Sequence, residues 1–142
     1  MRPLVLALGL GLVVGCSPAP TAVPPPSATG ATVPTMTVSD ALARQLEFDG
    51  ERIRVLGTYW SDGQAAFLAD VLLKSFPPQV DRASAILLQG SVPADVLSRL
   101  EHAPAGPAPI TWGPVEVVGI LHAERGPAAA RLEILEIRFS GA

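Results

Sequence analysis

The stretch from Asp49 to Trp60 constrains the fold more than any other part of this sequence. An Asp-Gly pair, which favours a turn, leads into a run of β-branched and aromatic residues. Apolar side chains at Ile53, Val55 and Tyr59 alternate with polar ones, as they do in a half-buried strand. Such a strand would reach about 30 Å, and Gly57 near its end would tolerate a bend. We therefore expect a long, kinked strand that serves two sheets, as the first strand of a small closed barrel does.

Two short helices and four further strands are predicted around this strand. A loose capping-box pattern at residues 37–40, with apolar spacing out to Leu46, predicts a helix that ends before Asp49. A second helix is predicted from Pro93 to His102. The stretch 70–79 stays open between one helical turn and an extended bend at Phe76-Pro77-Pro78. The further strands are expected at residues 65–69, 85–89, 115–122 and 131–139.

The last two strands carry signs of irregularity. Gly119 occupies a late position in its strand, as Gly57 does in the first one. In the final strand the apolar residues change parity between Ile134 and Leu135. This change predicts either a β-bulge or a centre that is buried on both faces.

Five strands with a helix between the third and the fourth have the topology of the OB-fold, a Greek-key barrel. The fold class we predict is mainly β, with two short helices and a five-stranded OB-like barrel. The segment Val38 to Tyr59, VSDALARQLEFDGERIRVLGTY, resembles the start of many bacterial OB-type envelope domains, and Val115 to Leu121 resembles their fourth strand. Some members carry cysteines around a Pro-Pro-Gln bend. Here Ala69 and Val80 stand in the flanking places, so that bridge is absent.

The N-terminal residues have the pattern of an export signal. Arg2 precedes an uncharged run from Leu4 to Val14, whose helix would be about 16 Å long, too short to span about 30 Å of hydrocarbon. Val13-Val14-Gly15-Cys16 resembles the lipobox of bacterial lipoproteins. The resemblance implies that Cys16 becomes the N-terminus and carries diacylglycerol and further acyl chains, such as palmitate. The alternative is an ordinary signal peptide with a chance cysteine.

The chain divides into three regions on this interpretation. Residues 1–15 are a lipoprotein signal peptide, residues 16–35 are the lipidated cysteine with a linker of Pro, Ala and Thr, and residues 36–142 are the barrel domain. The linker could hold the domain up to roughly 60 Å from a bilayer if it is extended. Ser17 resembles the residue that directs lipoproteins to the outer membrane in envelopes with two membranes. The predicted location is therefore extracytoplasmic and membrane-anchored.

Charge and cysteine content exclude several classes of function. A net charge of −3 and a single lysine give no basic footprint, so they weigh against nucleic acid as a partner. Cys16 is the only cysteine, so the domain has no disulfide, no thiol nucleophile and no thiolate metal site. We expect no metal and no cofactor.

Two histidines are the only residues that suggest reactive chemistry. His102 is predicted at a helix end, where it could act as a base, and His122 with Glu124 could supply two metal ligands. No elbow motif surrounds a serine, and two ligands do not complete a metal site. The simpler interpretation is that both histidines are solvated polar groups, with His102 at a helix end and His122 at a strand end.

A partner surface is the more promising prediction. The candidate residues are Arg52, Arg54, Tyr59, Trp60 and Trp112, and Trp112 is expected in a loop that covers one barrel end. We predict a non-enzymatic, lipid-anchored module that binds an envelope protein, a polysaccharide or a small ligand. One alternative is an envelope hydrolase or metal-dependent enzyme that uses His102 or His122. The other is an OB domain that stacks oligonucleotides on its aromatic side chains.

Overall fold

A computed structural model of the protein describes residues 32–125 and 130–142. The predicted signal peptide and most of the predicted linker lie outside the described residues. Within them the chain forms seven strands and two short α-helices, with a single 3₁₀ turn at Arg82–Ser84. The helices are α1 (Val38–Ala43) and α2 (Ala94–Leu97). The strands are β1 (Thr35–Thr37), β2 (Arg52–Ser61), β3 (Ala66–Ala69), β4 (Ile86–Gln89), β5 (Glu101–Ala103), β6 (Ile110–Ala123) and β7 (Ala130–Phe139).

Five of these strands close into a barrel. The order β2-β3-β4-β7-β6 is completed by pairing of β2 with β6, and only the β4–β7 pair is parallel. The helix α2 lies between the third and fourth barrel strands along the chain. This is the strand order of the OB-fold, so the predicted fold class is confirmed.

The predicted central role of the first long strand is also confirmed. β2 pairs with three strands: β1 in parallel, and β3 and β6 in antiparallel. A β-carbon on Gly57 would lie 2.9 Å from Cγ2 of Val38 and 3.0 Å from the carbonyl oxygen of Ala69. Because these contacts leave no room for a side chain, Gly57 allows α1 and β3 to pack closely against β2.

The irregularity predicted in the last strand is a β-bulge. Val118 pairs with Glu136, but the next residue, Gly119, pairs with Ile134. Leu135 is the extra residue, and its side chain is exposed. The bulge keeps apolar residues on both sides of it directed into the barrel, which explains the change of parity in the sequence.

Apolar residues form two clusters on opposite faces of β2 and β3. The larger cluster fills the barrel and contains, among others, Ile53, Val55, Leu68, Leu121 and Leu132. A smaller outer cluster consists of Trp60, Phe67, Ala69, Ala85 and Ile110, with Leu72, Val80 and Trp112 packed against it. The segment after β3 therefore folds back over the outside of the barrel.

Both helices are shorter than the sequence predicted. Thr37 caps α1 by accepting a hydrogen bond from the N–H of Asp40, at 3.2 Å, but α1 ends at Ala43 and leaves Leu46 84% exposed. The second helix was expected to reach His102, and this is wrong. It ends at Leu97, and His102 lies in β5, paired with Thr111 of β6. The fourth barrel strand accordingly begins at Ile110, five residues earlier than predicted.

Candidate interaction surfaces

The five residues predicted to form a partner surface do not form one exposed surface. Tyr59 is directed into the barrel and is 5% exposed, while Trp60 belongs to the outer cluster and is 3% exposed. Burial raises the pKa of Tyr59 above its ordinary value, against a smaller opposite effect of its hydrogen bond with Ser61. A partner at the surface therefore cannot reach either ring. The prediction is corrected for these two residues because both faces of β2 are covered at this end of the strand.

The burial of Trp60 indicates that this residue has a structural role. Its indole Nε1 donates a hydrogen bond to the carbonyl oxygen of Pro78, at 2.8 Å. Its ring centroid lies 6.2 Å from that of Phe67, and Trp112 of β6 is its cross-strand neighbour. Trp112 was predicted to lie in a loop, but it lies within β6 and is half-buried against the same cluster. The aromatic residues proposed for base stacking are thus packing residues.

Arg52 and Arg54 do lie at the surface. They occupy alternate positions on the outer face of β2, next to exposed Leu56. Arg54 Nε lies 3.4 Å from Oε1 of Glu116 on the neighbouring strand β6, in a partly exposed ion pair. Such pairs contribute little to stability, about 0–1 kcal/mol, so these arginines are not needed to hold the barrel together.

His102 is held by two hydrogen bonds. Its Nδ1 lies 2.9 Å from Oγ1 of Thr111, and its Nε2 lies 3.2 Å from the carbonyl oxygen of Leu97. Because a carbonyl oxygen only accepts, Nε2 carries the proton and Nδ1 accepts from Thr111 in the neutral ring. Both nitrogens are therefore engaged, and the ring joins the end of α2 to β5 and β6.

His122 and Glu124 do not form the pair that the sequence predicted. His122 Nε2 lies 3.5 Å from Oε2 of Glu133, whereas Glu124 Oε1 accepts a hydrogen bond from Nε of Arg131 at 2.9 Å. The predicted pair does not form because Arg131 of β7, which lies opposite His122, binds the carboxylate of Glu124 in an ion pair. Among the residues that the structure describes, no three His, Cys, Asp or Glu side chains come together as a metal site would require.

The surface that the sequence did not reveal is the segment that follows β3. We call residues 71–80 the apolar loop. Val71 is 76% exposed, Leu73 is 53% exposed and Phe76 is 85% exposed, although all three are apolar. The N–H of Leu73 donates to the carbonyl oxygen of Gln79 at 2.8 Å, which closes the loop into a small hairpin. The signal in the sequence is the pair of prolines after Phe76, which disfavours helix at that residue and interrupts regular structure there.

Two open pockets formed by the described residues are small and mixed in charge. One, of about 260 Å³, lies beside α2 and is lined by Asp95, Val96, Arg99, Ile137, Arg138 and Phe139. Another, of about 290 Å³, lies beyond α1 and includes Asp49, Glu124 and Arg125. Neither contains His102 or His122, so neither brings a candidate base to a cleft.

The fold and these surfaces define the class: an OB-like five-stranded β-barrel domain. No family model matches the chain, and no curated protein matches it. Among solved structures it is similar to a putative aspartyl-tRNA synthetase from Leishmania major Friedlin, with 14% sequence identity and a TM-score of 0.42. The match covers 78% of this chain and 21% of that protein. A similarity this weak carries no argument about function.

In the described part of the chain, no helix has the length and hydrophobicity to cross a membrane.

Proposed function

We propose that this protein is a lipid-anchored, extracytoplasmic interaction module that has no enzymatic activity. The observation that carries the proposal is the sequence Val13-Val14-Gly15-Cys16, placed directly after Arg2 and a short apolar run. Cys16 is the only cysteine of the chain, and it stands where a lipobox would have it. Two or three acyl chains would make the attachment effectively permanent, since each buried methylene contributes about 0.8 kcal/mol.

The geometry of the histidines supports a role in binding rather than catalysis. The ring of His102 is engaged at both nitrogens, and His122 faces Glu133 on an open strand surface. A general base needs a free nitrogen within reach of a bound substrate, usually in a pocket that excludes water. Neither histidine lines either of the two pockets found among the described residues.

The outer face of β2 is the surface we propose for the partner. It presents Arg52 and Leu56 on either side of the Arg54–Glu116 ion pair. An exposed leucine next to two arginines suits a partner with both apolar and acidic or hydroxyl groups. An envelope protein, an acidic polysaccharide or a small anionic ligand has that chemistry. In an envelope with two membranes, Ser17 favours the outer membrane as the location.

The anchor is tested by the variant Cys16→Ala. Its expected result is release of the protein from the membrane fraction, together with loss of palmitate incorporation. Ser17→Ala is the matched control, because it alters the neighbouring residue, retains the cysteine and should stay membrane-bound. A Cys16→Ala protein that remained tightly bound to membranes would refute the lipid anchor.

The binding face is tested separately, by placing a photo-crosslinking amino acid at Leu56 in intact cells. We expect a discrete crosslinked product from this position. Leu46 is the control, because it is also an exposed leucine but lies between α1 and β2, outside the strand. If Leu46 gave the same products as Leu56, the outer face of β2 would not be a specific binding surface.

A further inference from the structure

The apolar loop is the part of the molecule whose exposure the proposed function does not explain. Phe76, Val71 and Leu73 are exposed to solvent on a single ten-residue segment. A contiguous exposed apolar surface on a monomeric domain usually marks a binding site for a protein or a membrane. From this segment we infer that the loop docks onto the surface of the bilayer to which the protein is tethered. The inference rests on the proposed lipid anchor.

The charge of the loop favours a lipid surface as its partner. Residues 71–80 contain no Asp or Glu, and their one charged residue is Lys74, the only lysine of the chain. Lys74 lies between Leu73 and Phe76 and is exposed. A lysine in this position can direct its amine to lipid phosphates while its methylenes and the neighbouring apolar side chains enter the headgroup region.

Several backbone groups of the loop form hydrogen bonds within the protein. The N–H of Ser75 donates to the carbonyl oxygen of Leu73 at 2.9 Å, and the Ser75 hydroxyl donates to the carbonyl oxygen of Pro77 at 2.9 Å. Pro77 and Pro78 have no N–H group to desolvate, and the carbonyl of Pro78 is already bound by Trp60. Polar backbone groups without partners are what make loops costly in a bilayer, and these bonds satisfy four of the carbonyl oxygens of the loop, those of Leu73, Pro77, Pro78 and Gln79.

The loop begins close to the place where the tether would join the domain. Asp70, the residue before the loop, accepts hydrogen bonds from the N–H groups of Val38 and Ser39, at 2.9 and 2.8 Å. Val38 is six residues from Thr32, the first described residue, so the path between them is at most about 20 Å. A bilayer that holds Cys16 is therefore within reach of the loop. The tether also gives the loop a high effective concentration of membrane, which lets a weak contact persist.

The test uses the full chain, lipidated and reconstituted into vesicles that contain phosphatidylglycerol. Because lipidation occupies the sole cysteine, Phe76→Cys introduces the one thiol available to an environment-sensitive fluorophore. Leu46→Cys is the matched control, since Leu46 is 84% exposed and Phe76 is 85% exposed. We expect the probe at position 76 to shift its emission to the blue and to be quenched by nitroxide-labelled lipids. The probe at position 46 should do neither.

Flotation of the vesicles reports on the anchor independently of the probe. If the protein floats with the vesicles but the probe at position 76 behaves like the probe at position 46, loop docking is overturned and the anchor stands. A blue shift that depends on protein concentration and not on lipid would assign the loop to a second copy of the chain, and would also overturn it. A protein that does not float has no tether, and both proposals then fail.

Discussion

The indole Nε1 of Trp60 is joined to the carbonyl oxygen of Pro78 by a hydrogen bond of 2.8 Å. The two residues are 18 positions apart in sequence, one in a barrel strand and the other in the apolar loop. This bond, with the packing of Leu72 and Val80 on the outer cluster, fixes the loop against the barrel. Phe76 is therefore exposed on a loop that is fixed against the barrel.

The first prediction concerns this hydrogen bond. Trp60→Phe retains a ring but leaves the Pro78 carbonyl without its donor, so we expect a loss of about 1–3 kcal/mol in the free energy of unfolding. Amide hydrogen exchange in residues 70–80 should accelerate more than exchange in β7. Trp112→Phe is the control, because Trp112 is only half-buried and its side chain makes no hydrogen bond within the described residues. Equal acceleration in both variants would contradict the role given to the Trp60–Pro78 bond.

Local pattern was sufficient to predict most of the barrel. The alternation around Ile53 and Val55 identified the buried face of β2, and the parity change between Ile134 and Leu135 predicted either a bulge or a doubly buried centre, of which the structure has the bulge. These features depend on residues close together in sequence, since a strand's period of two assigns each side chain to a face. The strand order followed because few topologies suit five strands with one interposed helix.

What the sequence could not predict depends on contacts between distant segments. Alternation places Trp60 on the outer face of β2, but only the path of the chain after β3 decides that this face is covered. His102 was expected in a helix because Pro93, Val96 and Leu100 have helical spacing. In the structure, β6 begins at Ile110 and offers an edge on which residues 101–103 form β5. Pairing with that edge outweighs a weak local preference for helix.

The second prediction uses the fact that Tyr59 is the only tyrosine. Burial raises its pKa, and the hydrogen bond with Ser61 reduces the effect. The absorbance of tyrosinate should therefore appear at a pH above the ordinary midpoint of about 10. The folded state holds the phenolic proton more tightly than the unfolded state. The stability contributed by Tyr59 is therefore fully present below the ordinary pKa of about 10 and is lost as the pH rises through the higher pKa of the folded protein.

Absorbance at 295 nm during an alkaline titration measures this directly, and circular dichroism over the same range detects unfolding. Tyr59→Phe is the control variant, which should show no such absorbance change. A midpoint at or below that of a free tyrosine, with the fold intact, would mean that the ring is not buried in the barrel.

The third prediction concerns Asp70. Burial opposes ionisation of its carboxyl group, but hydrogen bonds from Ser39 and Val38 outweigh that effect and hold the pKa below its usual value. The carboxylate also lies at the N-terminus of α1, where negative charge is favoured. We expect Asp70→Asn to lower the free energy of unfolding at pH 7 by about 1 kcal/mol.

The pH dependence of this difference follows from the lowered pKa. Asp70 contributes its stability above the ordinary carboxyl pKa of about 4, and this contribution is lost as the pH falls through the lower pKa of the folded protein. Urea unfolding should therefore show the two proteins converging in strongly acidic buffer. Asp40→Asn is the control, because Asp40 lies in the first turn of α1, the helix that Asp70 caps, and its side chain makes no hydrogen bond within the described residues. A gap that stayed constant down to acidic pH would show that the charge of Asp70 is not involved.

The last prediction concerns Gly119, which packs against the backbone of β7. A β-carbon at this position would overlap with the carbonyl oxygen of Glu133 and would come within 3.1 Å of Cγ of Leu132. A backbone carbonyl cannot rotate away as a flexible side chain can, so the strands would have to separate next to the bulge at Leu135. We expect Gly119→Ala to lower the free energy of unfolding by about 2–3 kcal/mol or more.

Gly106→Ala provides the comparison that isolates this steric effect. Gly106 has a φ of +64° and no atom within 4 Å of the position of an added β-carbon. Its substitution should cost only the backbone strain of a left-handed residue, about 1 kcal/mol. Urea unfolding monitored by circular dichroism measures both variants. If Gly119→Ala were no less stable than Gly106→Ala, the close approach of β6 and β7 at this point would not be needed to close the barrel.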